Sequence, residues 1–69
     1  MYYKPNHHML HIKHGSDFFW ALCRGIRGEQ VEVYVGWDLD YRPIPQLFPK
    51  DSVVQAVPAK DFNSLNLAA

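Results

Sequence analysis

The run QVEVYVGWDLDY, residues 30–41, constrains this chain more than any other segment. Val31, Val33, Val35, Trp37 and Leu39 alternate with Glu32, Tyr34, Gly36, Asp38 and Asp40. Successive side chains of a strand point to opposite faces, so this period of two describes a half-buried antiparallel strand. The valines, Trp37 and Leu39 are expected to meet a core, and Glu32, Tyr34, Asp38 and Asp40 to meet water or a partner. Gly36 is expected to mark a bulge, because a glycine inside a strand otherwise weakens it.

Upstream, DFFWALCR (17–24) followed by GIRGEQ admits two readings. As a strand, Phe18, Trp20 and Leu22 share one face and 25–29 forms a hairpin loop into the next strand. As a helix, Ser16 caps, Phe18, Phe19, Leu22, Cys23 and Ile26 make an apolar stripe, and Gly25 stops it. Three adjacent aromatics and the Arg27-Gly28 turn signal favour the strand. Downstream, Pro43, Pro45 and Pro49 forbid a helix interior or a central strand, so 42–51 is expected to be an extended loop with a turn at 48–51. SVVQAV, 52–57, reads as a short strand ended by Pro58. The tail from Ala59 reads as a helical turn, an edge strand or a frayed end, with Phe62, Leu65 and Leu67 available for docking. Residues 8–14 read as a strand with Leu10 and Ile12 inward, against a short helix capped by Asn6 and stopped by Gly15.

Together these elements predict one small domain over 1–69, with 1–6 and 63–69 frayed. The expected fold is mostly β, a small antiparallel sheet curled into an SH3-like barrel. The alternative is an α+β fold, with a short helix at 16–25 packed on a three-stranded sheet. A chain of 69 residues buries a modest core, and such domains lean on disulfides, metals or self-association. The single cysteine, Cys23, rules out an internal disulfide. Ten aromatic residues (two Trp, four Tyr, four Phe) supply buriable area instead, and a homodimer would protect an exposed sheet edge.

Seven Lys and Arg balance seven Asp and Glu. That neutrality disfavours a dedicated nucleic-acid binder, whose affinity comes largely from phosphate neutralisation. No long apolar run predicts a membrane span, and the N-terminus lacks the apolar stretch of a signal peptide. With a lone thiol, this predicts a cytoplasmic protein.

All four histidines, His7, His8, His11 and His14, fall in HHMLHIKH. No pair is two apart. On a strand His7 and His11 would share a face roughly 13 Å apart, and His8 and His14 roughly 20 Å, too far to hold one ion. On a helix His7, His11 and His14 would converge as metal ligands. They are therefore weak metal candidates, conditional on a helix, and no cofactor is expected.

Tyr34, Trp37, Asp38, Asp40 and Tyr41 mix carboxylates with aromatics, a combination able to receive a cationic group of a partner. Against this, strict alternation points Trp37 inward, away from Tyr34, Asp38 and Asp40. Lys13, Arg24 and Arg27 form a candidate basic spot for nucleic acid, with Trp20 or Tyr34 to stack on a base. Catalysis is the least supported class. Cys23 lies in an apolar run, and there is no phosphate-binding glycine loop, zinc-ligand spacing or HExxH run. The leading expectation is a non-catalytic module, an accessory or regulatory protein that binds a larger protein partner. A small nucleic-acid-binding regulator comes second and a histidine metal or pH sensor third.

Overall fold

The computed structural model describes residues 2–62. It contains five strands: β1 (His8–His14), β2 (Asp17–Arg27), β3 (Gln30–Trp37), β4 (Pro43–Pro49) and β5 (Val53–Pro58). A 3-10 turn, Lys50–Ser52, joins β4 to β5, and residues 59–62 form a helical turn. All strand pairs are antiparallel, in the order β4-β3-β2-β1-β5. The sheet is mostly β as expected, but it is not closed into a barrel. The α+β alternative is overturned, because residues 17–27 are strand throughout. Phe18, Phe19 and Trp20 have a strong preference for extended backbone, and each finds a partner across the β1 ladder.

Two turns explain why β1, β2 and β3 follow one another in space. Gly15-Ser16 and Gly28-Glu29 are two-residue hairpin loops. Each glycine has positive φ, 63° and 61°, and the residue after it does not. That is the II′ pattern, whose twist matches the strands it joins. β2 therefore runs on to Arg27, beyond the loop expected at Gly25.

β2 serves two neighbours in turn. Its first part pairs with β1, from Asp17 opposite His14 to Leu22 opposite Met9. Its second part pairs with β3, from Cys23 opposite Val33 to Arg27 opposite Gln30. Bulges interrupt β2 between Cys23 and Gly25, β3 between Tyr34 and Trp37, and β5 opposite His11 and Ile12. Each bulge bends its strand and increases local twist, so the sheet curls.

The concave face carries the core: Leu10, Ile12, Ala21, Cys23, Val31, Val33, Phe48 and Val53, with Tyr3, Phe19 and Ala56 packed against it. Leu10 and Ile12 point inward as the sequence predicted. Phe18, Trp20 and Leu22 do share a face, but it is the outer one; β2 contributes Phe19, Ala21 and Cys23 to the core. The proline stretch expected to be a loop is a strand. Three prolines are tolerated there because β4 is at the sheet edge, where a missing N–H on the free side costs nothing. β5 is the other edge, and only its last residue is proline.

The N-terminal stretch expected to fray is tied down in part. Tyr3 packs on the core, and the Asn6 N–H donates to the Cys23 carbonyl at 2.7 Å. Residues 63–69, also expected to fray, lie outside the described residues.

Candidate functional site

The residues singled out in β3 and its turn occupy an exposed hairpin end. Trp37 was expected in the core, and the structure corrects this: it is 67% exposed. The cause is the bulge at Gly36. Val31 faces Phe48, Val33 faces Gln46 and Tyr34 faces Pro45, but Trp37 faces Pro43. Three steps along β3 match two along β4, so one extra residue reverses the alternation. Directly opposed residues lie on the same face, so Trp37 joins Tyr34, Pro43 and Pro45 on the outer face. The sequence had located the bulge correctly but had not carried its effect on parity through to Trp37. Leu39 is likewise not core; it is 99% exposed.

The turn beyond Trp37 is organised by one carboxylate. Asp38 Oδ1 accepts from the Asp40 and Arg42 N–H groups, each at 2.9 Å. The Tyr41 N–H donates to the Asp38 carbonyl at 3.0 Å, and the Asp38 N–H donates to the Arg42 carbonyl at 2.9 Å. Asp38 is therefore committed to holding the turn, whereas the sequence had offered it to a cationic ligand. Asp40 stays exposed.

Tyr41 has φ 60°. The left-handed region costs a non-glycine residue about 1–2 kcal/mol, and Tyr41 is 87% exposed, so no packing of its ring offsets that cost. The turn thus holds Trp37, Leu39 and Tyr41 out in solvent on a hydrogen-bonded frame. Leu39 and the strain at Tyr41 are the parts sequence reasoning missed. The signal for the frame was an Asp followed two and four residues on by backbone N–H groups it can reach, the Asx pattern.

Behind the hairpin, Arg24 stacks its guanidinium over the Tyr34 ring, 4.6 Å from the centroid. Arg27 makes an ion pair with Glu32 at 3.8 Å. Lys13 lies opposite Phe18, near the far end of β2. The expected basic spot is therefore not assembled: six residues separate Phe18 from Arg24, about 20 Å of strand.

His8, His11 and His14 are in β1, and each meets a different aromatic ring. His11 lies flat on Trp20, with centroids 4.5 Å apart and rings 4° from parallel. His8 meets Tyr2 edge-on at 5.9 Å, and His14 meets Phe48 edge-on at 5.5 Å. His7 precedes the strand in a turn. Among the described residues no three His, Cys, Asp or Glu side chains gather as a metal site. The strand reading of His8–His14 holds, and with it the dispersal of His7, His11 and His14.

Cys23 is fully buried, and its Sγ donates weakly to the Gly25 carbonyl at 3.8 Å. Burial pushes its thiol up from the ordinary range, which keeps it protonated and unreactive. The Tyr3 hydroxyl is pushed up by burial and by the neighbouring Cys23. The described residues form surface clefts of about 450 Å³ between β2 and β3–β4 and of about 510 Å³ beside the N-terminal turn. Among the described residues, no helix is long and apolar enough to cross a membrane.

No protein-family model, no curated protein and no solved structure matches this chain.

Proposed function

We propose that this chain is a non-catalytic interaction module that docks on a larger protein through the β3–β4 hairpin. The observation that carries the reading is the exposure of Trp37 (67%), Leu39 (99%) and Tyr41 (87%) on a turn pinned by Asp38. A hydrogen-bonded turn loses little backbone entropy on docking, and Trp and Tyr dominate the energy of protein interfaces. Backbone strain at an exposed Tyr41 points the same way, since strain is retained where a function over-determines it. Tyr34, Pro43 and Pro45 extend this surface along the outer face, and Asp40 adds a carboxylate at its rim. An SH3-like barrel belongs to the same proposal: the sharing of β2 between two partners and the three bulges support closure in that direction. So does a cytoplasmic setting, where the Cys23 thiol stays reduced.

The nucleic-acid reading has less behind it, because Arg24 and Arg27 are already engaged and Lys13 stands apart. The test is affinity capture from cells of the source, followed by binding measurements with the purified partner. Trp37→Ala with Tyr41→Ala should fold normally and lose that partner. Retained capture by the double variant would sink the proposal. So would sedimentation that shows a second copy of the chain as the sole occupant of this surface.

A further inference from the structure

The second cleft absorbs the histidines that the interaction surface leaves unexplained. It is about 510 Å³ and is lined by Tyr2, Lys4, Asn6, His7, His8, Pro58, Ala59 and Lys60. Among the described residues, its ionisable nitrogen-bearing groups are two lysines and two histidines, and no carboxylate lines it. In a chain with equal numbers of acids and bases, that is a marked separation of charge. Asp61 follows Lys60 in sequence, is exposed and is not among the residues that line the cleft.

The walls are fixed by backbone. His8 sits opposite Pro58 in the β1–β5 ladder. The Ala59 N–H donates to the His7 carbonyl at 2.7 Å, and the His7 N–H donates to the Lys4 carbonyl at 3.2 Å. The Lys4 N–H donates to His8 Nδ1 at 3.0 Å. That bond requires an unprotonated Nδ1, so neutral His8 carries its proton on Nε2 and offers it outward. Tyr2 meets His8 in a T-shaped contact and is 72% exposed.

We propose that this cleft binds a small phosphate monoester. Two ammonium groups and an imidazole N–H match a compact dianion, which lysines hold as point charges. The cavity exceeds what a bare phosphate fills, and Tyr2 and Pro58 provide apolar surface for the organic body of the ester. His7 lines the same cleft beside Lys4, His8 and Lys60.

The test is a backbone amide chemical-shift titration of the whole chain at low salt with phenyl phosphate, inorganic phosphate and benzoate as probes. Phenyl phosphate should shift resonances of residues 2–8 and 58–60, with Kd on the order of 1 mM or tighter. Lys4→Gln and Lys60→Gln should each weaken binding about three- to tenfold. Both lysines are exposed, so these variants should keep the wild-type amide dispersion. Benzoate binding as tightly as phenyl phosphate, or inorganic phosphate binding equally well, would overturn the monoester assignment. Shifts elsewhere on the chain, unchanged affinity in the double lysine variant, or tighter binding of a single-stranded oligonucleotide dependent on Lys13 and Arg24 would overturn it as well.

Discussion

β3 has two halves that read alike in sequence and behave differently in the structure. Val31 and Val33 are fully buried, whereas Val35 is 44% and Trp37 67% exposed. All four sit at alternate positions of one run, and Trp37 is the largest of them. The difference comes from what lies across the sheet. The first half has β2 on one side and β4 on the other. The second half has lost the β2 ladder, which ends at Cys23 opposite Val33, and it then crosses the bulge. A hydrophobic side chain becomes core only where neighbouring strands close over it.

The contrast is sharpest in stability. Val33→Ala removes small but fully buried side-chain area, and should lower unfolding free energy by about 2–3 kcal/mol in urea denaturation. Trp37→Ala removes far more atoms, yet should cost less than about 1 kcal/mol, in keeping with exposed positions. In partner binding the order reverses: Trp37→Ala should lose about 2 kcal/mol or more of affinity, while Val33→Ala, where folded, should lose little. Equal destabilisation by the two substitutions would mean that Trp37 packs against the sheet and the comparison fails.

Asp38→Ala tests whether the exposed half is a built surface. Two backbone N–H groups lose their shared acceptor, but both reach water. A loss of about 1 kcal/mol in stability is expected, with a larger loss in partner affinity as the turn loosens. Asp38→Asn retains an acceptor oxygen and should recover most of both. If alanine and asparagine variants bind the partner like wild type, the frame plays no part in recognition.

Cys23 reports on the buried half. It should resist alkylation in the native protein and react only through unfolding. A thiol raised by burial makes its full contribution to stability at pH values below the ordinary thiol range. Above that range the unfolded chain ionises first, and stability falls as pH rises towards the folded-state value. The Tyr3 hydroxyl is raised too, and adds a loss of the same sign at still higher pH. Urea midpoints that rise between pH 8 and 10 would contradict the burial of both groups.

What the sequence made legible follows the same division. The β1 span, the inward Leu10 and Ile12, the Arg27-Gly28 turn signal and the irregularity at Gly36 were readable because each depends on local chemistry. The fate of Trp37 was not. Its position depends on the register against Pro43 and on where the β2 ladder stops, and both are properties of strand pairing. β4 was read as a loop for a related reason: proline forbids a central strand, and only the strand order makes β4 an edge. Among candidate residues, Tyr34, Trp37 and Tyr41 were singled out by composition, and the structure leaves Trp37 and Tyr41 exposed. Lys13, Arg24 and Arg27 were grouped by type, but the ladder spaces them along the strands.

The smallest predicted effect separates a structural turn from a functional one. Tyr41 adopts a left-handed backbone that glycine occupies freely. If the only task of the turn were to join β3 to β4, Tyr41→Gly would be an improvement without penalty. Stability should rise by about 0.5–1 kcal/mol, part of the strain relief being offset by the greater entropy of unfolded glycine. Affinity for the partner should fall, because the substitution removes an 87% exposed aromatic ring and nothing else at the surface. A gain in stability with loss of binding identifies the strain as maintained for recognition. A gain in stability with binding intact would reduce Tyr41 to a tolerated irregularity and shift the interface onto Trp37 and Leu39.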